Sequence, residues 1–307
     1  MVDPAALGPV VKATAAIAAG LLVAAPVAQA ELYYLIVGGL GGEAAYDDAF
    51  AAHTESLAEA ALRTVGEESQ VDVLAGSDAS RDALRASLVA LAEQTGEADS
   101  VAVFLVGHGS YDGTQYKFNL PGPDIDGNEL GALLAAVPAR TQLIVNATSA
   151  SGAVLEDWSA ENRTVITATR SGAERNATRF AEHWAEALST DESDLDKNGV
   201  ITAQEAFDYT SRRVADSYES EGTLATEHPQ IAGDTATRFD VARLVARVAD
   251  TPQMQALIER LDGLEEQIAA LRLRRNEFPV EEYRAQLQGL LIELALVQQQ
   301  IDEAGAQ

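Results

Sequence analysis

The chain has no cysteine among its 307 residues. Disulfides, zinc–thiolate sites, iron–sulfur clusters and thiol nucleophiles are thereby excluded. Histidine is scarce: His53, His108, His183 and His228 are the whole set. Lysine is scarcer still, since Lys12, Lys117 and Lys197 are the only ones among 21 cationic residues. Against 48 acidic residues these leave a net charge of −27. A nucleic-acid binder needs a basic footprint, and an anionic membrane surface would repel such a chain. Neither partner is expected. What is plentiful is apolar residue, 47% of the total. That suffices for one sizeable domain with an appendage, or two small domains.

Residues 1–30 read as a secretory signal. Lys12 precedes an apolar run from Ala13 to Val27, and Ala28-Gln29-Ala30 fits a small-x-small cleavage site. The run is short for a membrane span. The expected location is therefore periplasmic or secreted. Residues 31–249 read as the main domain and 250–307 as a helical hairpin.

The main domain alternates in kind. Apolar runs at 32–37, 71–75, 101–106, 142–146 and 164–168 read as strands. Helical spacing intervenes near 44–65, over 80–95 and over 127–136. Strands alternating with helices predict an α/β domain with a mainly parallel sheet, layered between helices. Ligands of such sheets bind beyond the carboxyl ends of the strands. The hairpin shows a different period. Met254, Leu257, Leu261, Leu264, Ile268 and Leu271 step by three and four. A break follows at Asn276-Glu277-Phe278-Pro279, and Tyr283, Leu287, Leu290, Leu294, Val297 and Ile301 resume the step. This predicts an antiparallel coiled-coil hairpin over 254–301, serving self-association, a protein partner or packing on its own domain.

Two strand ends carry candidate chemistry. The third strand runs into His108-Gly109-Ser110, and the fourth into Ala147-Thr148-Ser149-Ala150-Ser151-Gly152. On adjacent parallel strands both loops would share one edge, bringing a histidine near a hydroxyl and backbone N–H groups. Ser151 is a second hydroxyl there, read as a turn residue opening the next helix. His53 and His183 read as packing or surface residues, and His228 as a groove-lining candidate.

The set of segments resembles a known family. A hydrophobic strand ending in His-Gly is followed some 40 residues on by a second strand ending near Ser149-Ala150-Ser151-Gly152. With the segments at 39–43, 167–174, 178–184 and 218–229, this resembles the legumain (asparaginyl endopeptidase) branch of the caspase–haemoglobinase fold, over roughly 32–235. The resemblance implies a caspase-like three-layer sandwich. It implies His108 as general base, Ser149 at the nucleophile position, and the N–H groups of Gly109 and Ser149 as an oxyanion hole. Two positions depart from the family pattern. Serine replaces the family's cysteine at 149, and a hydroxyl is a far weaker acid than a thiol near pKa 8.5. Alanine at 147 replaces a glutamate that lines the specificity pocket. Three readings follow: a catalytically impaired homologue that binds peptides or proteins, a Ser149–His108 hydrolase, and a nucleotide binder through the glycines Gly39 and Gly41.

A second motif is independent of that resemblance. Residues 194–205 fit the twelve-residue EF-hand loop, with Asp194, Asp196 and Asn198 at positions 1, 3 and 5 and Gly199 at 6. Val200 supplies a carbonyl at 7, Thr202 stands at 9 and Glu205 at 12. The expected cofactor is one calcium ion acting as a staple, between helices near 180–188 and 203–218. No partner hand is present in the sequence.

Overall fold

The computed structural model describes residues 30–245, 252–275 and 278–305. The signal read over 1–30 lies outside them except for Ala30, as do the boundary between 249 and 250 and the Asn276-Glu277 break. No helix among the described residues is long and apolar enough to cross a membrane.

A six-stranded sheet forms the centre. Its strands are β1 (Leu32–Gly38), β2 (Val71–Leu74), β3 (Ser100–Val106), β7 (Thr141–Asn146), β8 (Arg163–Thr167) and β10 (Gln230–Ala232). Their order across the sheet is β10-β8-β7-β3-β1-β2, parallel throughout except for β10. The continuous apolar runs are explained by burial on both faces. Tyr34, Ile36, Ala102, Phe104, Leu143 and Val145 point to one layer, and Leu35, Val37, Val103, Leu105 and Ile144 to the other.

The first layer holds α1 (Ala44–Val65), α5 (Phe180–Ala187) and α6 (Ala203–Glu221). The second holds α2 (Arg81–Gln94), α3 (Gly127–Ala135) and the short α4 (Leu155–Trp158). It also holds a small antiparallel meander of β4 (Gly109–Tyr111), β5 (Tyr116–Phe118) and β6 (Ile125–Asp126). The architecture is a three-layer α/β sandwich. Local signals set its helix ends. Ser80 accepts from the Ala83 N–H to start α2, and Asp126 accepts from the Asn128 and Glu129 N–H groups to start α3. Gly66 ends α1 at φ 77°, a left-handed cap.

A two-stranded ribbon of β9 (Val200–Thr202) and β11 (Asp240–Arg243) lies beside the first layer. It is pinned to α1. The Arg63 guanidinium donates to the Arg243 and Leu188 carbonyls, and the Arg243 N–H donates to Thr64 Oγ1. The hairpin helices α7 (Pro252–Leu273) and α8 (Val280–Gly305) close their own apolar seam. Leu261, Leu264, Ile268, Leu294, Val297 and Ile301 form it, at the predicted positions. The pair docks on the ribbon through Arg243, whose guanidinium donates to Glu265 at 2.8 Å.

Arg163 is buried at the start of β8 with no carboxylate partner among the described residues. It donates to Gln142 Oε1 and to the Trp158 and Leu134 carbonyls, at 2.8, 2.8 and 3.0 Å. Arg163→Met removes the donor from Gln142 Oε1 and from the Trp158 carbonyl, while the Leu134 carbonyl keeps the Val137 N–H. It is expected to lower unfolding stability by about 3 kcal/mol in a denaturant titration. An unchanged midpoint would show that this network carries no stability.

Candidate functional site

The site begins with strand register. β3 and β7 pair in parallel with Leu105 opposite Asn146, and the Ala147 N–H continues the ladder to the Leu105 carbonyl. Three residues beyond this pair on each chain segment stand His108 and Ser149. The sheet therefore brings both predicted loops to one carboxyl edge. Their backbones touch at Gly109. A Cβ there would lie 2.3 Å from the Ser149 carbonyl oxygen, 2.6 Å from Thr148 Oγ1 and 2.7 Å from the Tyr116 ring. Only glycine fits between them.

The Ser149 turn is held from several sides. Asn146 Oδ1 accepts from the Thr148 N–H and hydroxyl, and the Tyr116 hydroxyl completes a buried cluster with both residues. Burial pushes the Tyr116 hydroxyl up to about 12, so it stays protonated. Thr178 Oγ1 donates to the Ala147 carbonyl at 2.6 Å. Ala150 takes φ +56°, a left-handed conformation that is costly for any side chain, and its N–H donates to the Glu174 carbonyl at 2.7 Å. The Ser149 side chain is almost closed off, at 2% exposure.

Two N–H groups are left over at this edge. The Ser149 N–H has no hydrogen-bond partner among the described residues. In the β4–β5 ribbon, the Asn119 N–H donates to the His108 carbonyl and the Asp112 N–H to Gln115. Antiparallel ladders bond at alternate residues, so the Gly109 N–H turns away from β5. Both expected oxyanion donors are thus unspent on the ladder.

His108 is held from the other side. Its ring meets Tyr46 and Phe50 of α1 edge-on, at centroid distances of 4.7 and 5.0 Å. Burial pushes its pKa below the ordinary value; a hydrogen bond to the Gly41 backbone and the carboxylates Asp47 and Glu43 oppose this without reversing it. Asp47 Oδ1 accepts from the Gly41 N–H at 2.8 Å and so fixes that turn. The glycine run at 39–42 therefore buttresses the histidine. Sequence reasoning missed this support, and its signal was Asp47 one turn into α1. No hydrogen bond joins His108 to Ser149 among the described residues. Ser151 is fully buried with its hydroxyl against Thr169 Oγ1, inside a short 3₁₀ turn, so it is a packing residue.

The other histidines are placed as follows. His53 is half-buried on α1, and burial lowers its pKa. His183 is buried on α5 beside Glu186. His228 lies against Glu174, with Nδ1 at 2.6 Å from Oε1. Glu174 also accepts from the Arg170 N–H, and its carbonyl holds Ala150. The 218–229 segment is thus joined to the Ser149 turn through one glutamate.

The acidic loop lies between α5 and α6, as expected. Ligand oxygens of Asp194, Asp196 and Glu205 lie within 4.8 Å of one another. Asp194 accepts from the Asn198 and Gly199 N–H groups, at 3.2 and 2.9 Å. Asn198 Oδ1 accepts from the Val200 N–H. Lys197 and Gly199 take left-handed φ of 58° and 80° to wrap the chain around Asp194. Thr202 caps α6 in a reciprocal pair with Glu205, whose Oε1 accepts from the Leu195 N–H. The strand β9 starts at Val200, and β11 pairs with it. Desolvation, with the charges of Glu205 and Asp194, pushes Asp196 above the usual carboxylate range. Such a cluster of oxygens suits a hard divalent cation.

No protein-family model matches the sequence, and no curated protein matches it. Among solved structures, the crystal structure of protein GSU0716 from Geobacter sulfurreducens, a structural-genomics target, is similar with a TM-score of 0.48 and 14% identity. That similarity covers 70% of this chain and 99% of the other.

The lowered pKa of His108 gives a testable sign. The unfolded chain binds this proton first as pH falls through the ordinary 6.5. The neutral ring's contribution to stability is complete above 6.5 and is lost as pH falls from there through the folded value. A two-dimensional NMR titration should give a His108 midpoint below 6.5. A midpoint above it would show that Asp47 and Glu43 dominate.

Proposed function

We propose that this chain is an exported, legumain-like peptide- or protein-binding module whose peptidase chemistry is impaired by Ser149. The observation that carries the reading is the meeting of His108, Gly109 and Ser149 on one sheet edge, without a hydrogen bond between base and hydroxyl. A serine needs a base in contact to become a nucleophile, whereas a thiol is partly ionised unaided. The unspent N–H groups of Gly109 and Ser149 suit a carbonyl of an extended peptide, and burial favours the neutral form of the His108 ring. Periplasmic or secreted location belongs to the same reading. It rests on the apolar leader and the small-x-small site at Ala28-Gln29-Ala30. In the test, random peptides are displayed to the folded chain and to Gly109→Ala, whose methyl would push the Ser149 turn aside. Peptides enriched on the wild type and lost on the variant support binding at this edge; equal recovery on both would contradict it.

The second half of the reading is a calcium ion in the 194–205 loop. Asp194, Asp196, Asn198 and Glu205 would hold it by side-chain oxygens and Val200 by its carbonyl, with Thr202 as the remaining position. The ion would offset two of three crowded negative charges and clamp α5, α6 and the β9–β11 ribbon together. At a hundredfold excess over its dissociation constant such an ion adds about 2.7 kcal/mol to stability. Calcium is therefore expected to raise the wild-type melting temperature by several degrees, and Glu205→Gln to lose most of that gain. Equal gains with calcium and with added sodium chloride would remove calcium from the account.

A further inference from the structure

The helical hairpin reaches the acidic loop directly. Arg272, in the last turn of α7, places Nη2 3.4 Å from Asp196 Oδ2. Gln298 of α8 covers Gly199, where a Cβ would lie 2.5 Å from its Nε2. Asp196 and Gly199 are positions 3 and 6 of the loop. The strand beside the loop carries the main tether, because Arg243 of β11 is paired with Glu265 of α7. The hairpin thus holds the loop's neighbouring strand by one arginine and the loop itself by another.

Charge explains the second contact. Asp194, Asp196 and Glu205 gather three negative charges within one coordination sphere. The other two carboxylates push Asp196 up, and Arg272 pulls it back. Arg272 is a counter-charge brought to the loop by a different part of the chain.

We propose that Arg272 is an intramolecular stand-in for the divalent cation: guanidinium and calcium compete for the Asp196 carboxylate, so ion binding loosens the end of α7 from the loop. This rests on the calcium reading above. A cation at position 3 needs the carboxylate turned inward, and it supplies two positive charges where Arg272 supplies one. Linkage makes the competition reciprocal, so whatever Arg272 takes from calcium affinity, calcium takes from docking. The pair is about half exposed, with side chains at 45% and 44%. Exposed pairs of this kind correspond to about a two- to fivefold change in affinity. The Arg243–Glu265 tether lies outside the loop and is untouched. The response is therefore a release of the last turn of α7 with the hairpin still attached.

The test uses the full chain. Calcium is titrated calorimetrically into wild type, Arg272→Ala and Arg85→Ala, the last removing the same charge from α2 on the other side of the sheet. In parallel, hydrogen–deuterium exchange of residues 269–273 is followed with and without calcium. Arg272→Ala is expected to bind calcium about threefold more tightly than wild type, with Arg85→Ala unchanged. Calcium is expected to speed exchange over 269–273 in the wild type only. Binding confined to Arg272→Ala would support the competition in a stronger form. Equal or weaker binding by Arg272→Ala, an equal gain in Arg85→Ala, or slower exchange over 269–273 with calcium overturns the competition and leaves the calcium reading standing. No binding by wild type or Arg272→Ala overturns both.

Discussion

The candidate site depends on the parallel pairing of β3 with β7. Leu105 opposite Asn146 sets His108 level with Ser149, and Gly109 closes the space between the two loops. A slip of one residue would exchange the faces of every side chain on a strand. That slip is blocked because both faces are buried: Phe104 and Val145 fill one layer, and Leu105 and Ile144 the other. Burial of β3 thus fixes register, and register fixes the site. The support differs on the two sides of the edge. Ser149 is held by a buried polar cluster and the left-handed Ala150, and His108 by aromatic edges and the Gly41 turn.

The β9–β11 ribbon is the second junction. It joins the acidic loop to the sandwich through Arg63 and Thr64, and to the hairpin through Arg243. Arginine does this in a chain of net charge −27. Its planar fork pairs two acceptors at once, as Arg243 does with Glu265 and Arg163 does with carbonyls. The buried arginines are thus structural, while Arg272 of α7, half exposed against the loop, is the partner that the proposed ion would displace from Asp196.

The doubly buried strands, the two hairpin helices and the flanks of the acidic loop could be read from the chain because each is written in local periodicity or spacing. So could the strand ends bearing His108 and Ser149. The meander β4–β6 could not, since its strands are two or three residues long and lack an apolar run. The antiparallel edge strand β10 and the ribbon partner β11, of three and four residues, likewise lack a continuous apolar run. The supports of the site are long-range. Glu174 holds Ala150 by a main-chain carbonyl, and His228 meets Glu174 across 54 positions; neither contact leaves a local pattern. The glycines at 39–42 have the spacing of a phosphate-binding turn, and in the fold they contact His108, Phe118 and Asp47.

The central claim is that this edge binds without attacking. The most direct measurement is labelling of the purified chain by a fluorophosphonate probe in saturating calcium, beside Ser149→Ala and His108→Ala. The account predicts no labelling of the folded wild type. Labelling that disappears in both variants would contradict it and make Ser149 and His108 a working hydrolase pair.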